Sequence, residues 1–206
     1  MRMGNGTTTM NESRFSLRSL TLADWVLMAL LAAANGVMTT GLSWVNKLLH
    51  SVGGPMLTST IVGLYMIYGL LAIYVIRKPG AALVTYSLGA CVQILMGSAY
   101  GAWSCIAAAL CYAVVIEPLF YVFRYRQYNW FIMLFVGTAA VPLWFVVSAF
   151  MFGYIHYEMW VLIATLIIRC ISGMLLCGAL TKMIGDRIAS TRAMRPFALG
   201  RESRGQ

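Results

Sequence analysis

Glu117 and Arg169 each stand alone as an ionisable residue inside a long apolar run, where a buried charge is costly and the usual remedy is a partner. Counting from the ends of their runs puts Glu117 about 24 Å and Arg169 about 15 Å below one boundary, a gap that an arginine side chain can largely close. That arithmetic favours a structural pair over direct ligand contact. Gln93 offers different chemistry. It lies about 6 Å below the same boundary, and its planar amide presents a carbonyl beside an NH2, the fork that reads the amino and ring-nitrogen edge of adenine or of any aminopyrimidine. The alternative use of that fork is an interhelical hydrogen bond. At comparable depth stand Trp44, Tyr65, Tyr100, Trp103, Trp144 and Trp160, with hydroxyls from Thr40, Ser43, Thr58, Ser59 and Ser148. Such residues can line one pocket whose aromatic faces sandwich a flat heterocycle and attract a positively charged one, or they can form the aromatic belt of a membrane protein.

None of this chemistry is enzymatic. His156-Tyr157-Glu158 is not a HExxH motif, and the chain has no Walker A loop, paired aspartates or nucleophile elbow. Cys91, Cys105, Cys111, Cys170 and Cys177 lack the CxxC or Cys/His spacing of a metal or redox site and read as small buried apolar residues. The expectation is a protein that hydrolyses no ATP by itself and needs no metal or cofactor.

The elements that position these residues are membrane helices. The chain has 206 residues, 61% of them hydrophobic and 10% charged, too apolar for a soluble domain of this length. Its formal net charge of +9 sits in short loops and tails rather than in one aromatic-interleaved patch, which argues for the lipid bilayer and against nucleic acid. Apolar runs at about 25–44, 57–76, 81–97, 99–123, 130–152 and 159–184 each approach the ~20 residues that a bilayer requires. The expected fold is therefore an all-α integral membrane protein of six transmembrane helices. Ile76-Arg77-Lys78-Pro79-Gly80 is a tight charged turn, and placing it inside puts both termini in the cytoplasm and leaves Lys47 as the one outer-loop cation. Residues 1–20 are expected to form a mobile cytoplasmic tail, 21–190 the membrane domain and 191–206 a basic cytoplasmic tail. The first run is read as a retained helix rather than a cleaved leader, because its apolar character continues to Trp44.

On that first helix Ala29 and Ala33, with Ala32 and Gly36, set small residues four apart, the pattern that lets another helix approach closely in lipid. The approaching helix is either a neighbour in the same chain or a separate membrane subunit. No internal repeat is present, which argues against a self-sufficient transporter built from two related halves.

The stretch Ile76-Arg77-Lys78-Pro79-Gly80-Ala81-Ala82-Leu83, the turn at Gly53-Gly54-Pro55, Glu117 ahead of the Arg124 loop, and Leu166-Ile167-Ile168-Arg169-Cys170-Ile171-Ser172-Gly173-Met174-Leu175-Leu176 together resemble the YkoE family. The resemblance covers residues 25–192 and is most specific in the Arg-Lys-Pro-Gly-Ala-Ala stretch. It implies a six-helix substrate-binding S component of an energy-coupling factor (ECF) importer in the bacterial plasma membrane. Such a component captures a vitamin-like small molecule, thiamine or its hydroxymethylpyrimidine precursor, at the outer face. It also implies partners: a transmembrane T subunit, for which Ala29 and Ala33 would be the docking face, and two ATPase subunits. Where the family is associated with acidic residues near the outer ends of helices two and three, this chain has Ser59 and Gln93, which shifts the expectation from a cationic thiazolium towards a neutral aminopyrimidine. The alternatives are a stand-alone permease or exporter, or an S component for another vitamin or a cobalt-type metal ion. His50 and His156, without neighbouring carboxylates, would make a poor metal cage.

Overall fold

The computed structural model describes residues 20–125 and 127–189 and, beyond them, Thr191, Met194, Pro196, Phe197 and Leu199. The two expected tails thus lie almost entirely outside the described residues, although Phe197 and Leu199 are buried in the same core as the helices. Every described regular element is helical. In chain order they are α1 (Leu22–Thr58), a 3-10 segment (Ser59–Met66), α2 (Ile67–Ile76), α3 (Ala81–Met96), α4 (Gly101–Val122), α5 (Trp130–Met151), a 3-10 turn (Tyr154–His156), α6 (Met159–Ser172), a π-helical segment (Gly173–Ala179) and α7 (Leu180–Ala189). Four stretches, Leu22–Ile76, Gly101–Val122, Trp130–Met151 and Met159–Ala189, are long and apolar enough to cross a membrane, and Ala81–Met96 is apolar but shorter. Helices α4 and α5 run on through Pro118 and Pro142.

The first stretch is a hairpin. A straight helix of its 55 residues would be about 80 Å long, yet Lys78 Nζ lies 2.7 Å from Asp24 Oδ2 at its other end. The reversal occurs at Gly53 and Gly54, where the backbone leaves helical geometry. Gly54 has φ 61° and ψ −153°, a combination open almost only to glycine. Asp24 also closes a capping box with Thr21 at the start of α1, so one carboxylate joins both ends of the hairpin. In the Arg-Lys-Pro-Gly turn, Arg77 ends α2 in the left-handed conformation at φ 56°, and its guanidinium stacks on the Tyr128 ring, 4.4 Å from the centroid. Whatever these two cations contribute to orientation, both also hold the fold.

Glu117 corrects the expected charge pair. Its Oε1 accepts from the N–H groups of Ala82 at 2.9 Å and Leu83 at 3.2 Å, and its Oε2 accepts from the Tyr125 hydroxyl at 2.7 Å. It does not pair with Arg169. Gly80 is the residue before α3, so Ala82 and Leu83 present two of the orphan donors of that helix's first turn, and an anion there also meets the positive end of the helix dipole. Burial, reinforced by the Glu117 carboxylate, raises the pKa of Tyr125 and keeps it a hydroxyl donor. Glu117→Leu should therefore lower stability by about 2–3 kcal/mol by stranding buried donors, with Glu117→Gln costing less because an amide oxygen can still accept. Thermal melts of the detergent-purified variants check this, and an unchanged melting temperature would remove Glu117 as the α3 anchor.

Small residues set the closest approaches. A Cβ on Gly36 would strike the Val92 side chain, and one on Gly89 would strike the Asn35 amide, so α1 and α3 touch almost backbone to backbone. A second seam joins α5 to the π-helical segment: a Cβ on Gly137 would lie 2.6 Å from the Gly173 carbonyl oxygen and 2.8 Å from Gly178 N.

Candidate functional site

Asn35, Thr39 and Asn46 occupy positions i, i+4 and i+11 of α1, one face of a helix, spread over about 16 Å at 1.5 Å per residue. That face lines a cavity with roughly 730 Å³ of non-protein space counted through its open mouth. The opposite walls come from the 3-10 segment (Val62, Tyr65), α3 (Tyr86, Ala90, Gln93), α4 (Ser104, Cys105, Ala108, Ala109, Tyr112), α5 (Trp144, Ser148) and α6 (Arg169), with Ser98, Tyr100, Phe152 and Tyr154 from connections. The absence of a Cβ at Gly89 gives the Asn35 amide its place.

Three buried polar atoms in this wall, Asn35 Oδ1, Asn46 Oδ1 and the Tyr65 hydroxyl, make no well-formed hydrogen bond among the described residues, although the Asn46 and Tyr65 side chains lie close enough to interact with each other. Buried polar groups left unpaired cost about 1–3 kcal/mol each, so a ligand that satisfies them is favoured. Two of the three are carbonyl-type acceptors and call for N–H or O–H donors. Tyr112 packs edge-on to Trp144 at 6.1 Å and tilted against Tyr86 at 5.7 Å, while the Tyr86 hydroxyl is tied to the Met66 carbonyl at 2.5 Å. The result is a tied aromatic cluster in the same cavity as the amide oxygens.

Arg169 belongs to this cavity. It is 3% exposed, donates from Nε to Ser59 Oγ at 3.1 Å and from Nη1 to Ser148 Oγ at 2.7 Å, and lies over the rings of Phe145 at 5.1 Å and Tyr154 at 5.6 Å. Burial pushes the nearby Tyr100 phenol up to about 12 and raises that of Tyr154 as well, so both rings stay neutral beside it.

Of the expected site residues, Gln93, Tyr65, Tyr100 and Trp144 line the cavity. The Gln93 amide reaches only Ser98 Oγ, at 3.5 Å, the long limit for a hydrogen bond. Trp44, Trp103 and Trp160 lie outside the cavity wall, at 55%, 80% and 62% exposure. Ser59 is buried behind the cavity wall, holding Arg169 while its own hydroxyl donates to the Pro55 carbonyl at 2.6 Å. Thr40, Ser43 and Thr58 are likewise turned to local backbone carbonyls. Asn35, Asn46, Tyr86 and Tyr112 are the additions. An asparagine inside an apolar run is the same signal that singled out Gln93, and Asn35 carries it on the first helix, whereas Asn46 lies beyond the first apolar run, beside Lys47. The small face of α1 divides: Ala32 and Gly36 are buried, whereas Ala29 and Ala33 are exposed.

Comparison with known proteins accords with this architecture. Residues 23–143 match the family model described as the permease component of an ABC-type cobalt transport system. A putative HMP/thiamine permease protein, YkoE of Bacillus subtilis (strain 168), is 30% identical over 186 residues, 90% of this chain and 93% of the relative. A crystal structure of an S component of an ECF transporter superposes with a TM-score of 0.86 at 30% identity, covering 90% of this chain and 94% of the other. The chain therefore belongs to the YkoE family of energy-coupling factor S components, multi-pass transport proteins of the bacterial plasma membrane.

Proposed function

We propose that the protein is the substrate-binding component of an ECF-type importer and captures an aminopyrimidine, hydroxymethylpyrimidine or thiamine, at the outer face of the membrane. The observation that carries this reading is a single cavity lined both by Tyr65, Tyr86, Tyr112 and Trp144 and by Asn35 Oδ1 and Asn46 Oδ1, acceptors without a well-formed hydrogen bond among the described residues. Aromatic faces suit a flat ring, and the acceptors suit its exocyclic amino group. The relative's printed name, an HMP/thiamine permease, points to the same ligands.

Counting the hairpin as two crossings and adding α3, α4, α5 and the α6–α7 unit gives six, which puts both termini on one side. The Arg77-Lys78 turn marks that side as cytoplasmic. The cavity draws on Ser98, Tyr100, Phe152 and Tyr154, which lie in the connections at the opposite end of the helices, and so its mouth faces outward. A T subunit would pack on the exposed Ala29 and Ala33 of α1, and two ATPase subunits would supply the energy. A cobalt ligand fits less well: the cavity lining contains no His, Asp or Glu and a single Cys105, a weak donor set for that ion.

The test is titration of the detergent-purified protein with hydroxymethylpyrimidine and thiamine, alongside native mass spectrometry of whatever co-purifies. Asn46→Leu should weaken binding of the preferred ligand about tenfold or more, because a donor on the ligand would face a methyl group in a dry wall. Absence of binding by either compound would overturn the reading, and uptake by the chain expressed without partners would favour a stand-alone permease.

A further inference from the structure

Resting on the aminopyrimidine reading above, we propose that the preferred ligand also carries an anionic oxygen group, a phosphomonoester or carboxylate, seated against Arg169, and that the site disfavours a ligand with a fixed positive charge. Arg169 is 3% exposed, and among the described residues no carboxylate pairs with it. The ion pairs of the described chain join Lys78 to Asp24 and Lys182 to Asp186, and Glu117 is committed to the start of α3. A guanidinium taken out of water without a counter-charge is among the costliest arrangements a protein can hold. The partners it has are neutral. Ser59 Oγ spends its proton on the Pro55 carbonyl and Ser148 Oγ spends its own on the Phe145 carbonyl, so each serine offers Arg169 a lone pair and nothing more. These bonds fix the guanidinium plane and engage one donor on each of two nitrogens, and the neutral Tyr154 hydroxyl lies close enough to take a third, while a guanidinium carries five. The donors that remain belong to the group that recognises planar or tetrahedral anionic oxygens in paired contacts.

Position agrees with this role. Ser148 is within one turn of the end of α5 and Tyr154 lies in the α5–α6 connection, so the guanidinium stands towards the mouth, while Tyr86, Tyr112 and Asn35 line the deeper part. A heterocycle held deep by the aromatic wall would present a substituent outward to Arg169. A thiazolium in the same place would meet like charge. The aromatic faces that could compensate it there, Phe145 and Tyr154, are already turned to the guanidinium.

The experiment compares four ligands on the purified full-length protein by isothermal titration: hydroxymethylpyrimidine, its phosphate monoester, thiamine and thiamine monophosphate. Each phosphomonoester should bind about tenfold or more tightly than its parent alcohol, as expected for one desolvated charge-assisted contact, and thiamine should bind most weakly. Arg169→Gln should bring the ester and alcohol affinities within about threefold of each other by weakening the ester. Should that variant fail to purify, the wild-type ranking still decides. If the alcohol or thiamine binds the wild type as tightly as its ester, the anion inference is wrong while the aminopyrimidine reading stands. If none of the four binds, both fall together.

Discussion

Gly137→Ala is expected to leave little or no folded protein, an effect out of proportion to the one methyl group added. That methyl would sit 2.6 Å from the Gly173 carbonyl oxygen, 2.8 Å from Gly178 N and 3.0 Å from Gly178 Cα, and none of these is a side chain that can swing away. Relief requires α5 and the π-helical segment to separate along a seam where Gly173 and Gly178 are equally tight against α5. Overpacking an adaptable core costs about 1–3 kcal/mol; against backbone the cost should reach or exceed the upper figure, a large share of the roughly 5–15 kcal/mol that holds a protein together. Size-exclusion profiles of detergent extracts read the outcome. Gly178→Ala should behave alike, whereas Gly41→Ala, where an added Cβ meets nothing within 4 Å, should elute as the parent does. A monodisperse Gly137→Ala protein with a normal melting temperature would mean the seam can open cheaply.

The second large effect is on uptake rather than folding. Ala33→Trp, and likewise Ala29→Trp, should abolish accumulation of the ligand in cells and reduce co-purification with a T subunit, yet leave the affinity of the isolated protein within about threefold. Both alanines are exposed, on a helix whose neighbouring Val26, Leu30 and Val37 are exposed at 61%, 66% and 55%, so a bulky side chain there would meet lipid in the isolated chain and, on the proposed docking, a helix of the T subunit in the complex. Asn35 lines the cavity only two residues beyond Ala33, so what divides the two tasks is the face of the helix and not depth: residues two apart project about 200° around the axis. Loss of ligand affinity in Ala33→Trp would show that the two faces are mechanically linked and that uptake cannot report on docking alone.

Depth along a membrane helix was legible in the sequence and azimuth was not. Counting residues placed Gln93, Tyr65, Tyr100 and Trp144 at a common level, and they line one cavity; the same count included Trp44, Trp103 and Trp160, which face away from it. In lipid both faces of a helix are apolar, so the periodicity that distinguishes inside from outside in a soluble protein is weak. The hairpin at Gly53-Gly54 and the turn at Arg77 to Gly80 were visible because glycine and proline punctuate local backbone. The partner of Glu117 was not, because it is not a side chain: the first turn of α3 supplies two backbone N–H groups, and a search for an opposite charge passes over them. Arg169 is the counterpart of that error, since releasing it from Glu117 is what places its charge in the cavity.

The cavity is bordered by α1, the 3-10 segment, α3, α4, α5 and α6, so no single helix or hairpin contains it. Whatever binds there recognises only the completely assembled bundle, and by mass action it must shift the folding equilibrium by RT ln(1 + [L]/Kd), about 2.7 kcal/mol at a hundredfold excess over Kd. Heat resistance then becomes a binding isotherm. A panel of heterocycles can be ranked by warming the detergent-solubilised protein with each, with no label, no partner subunits and no transport assay.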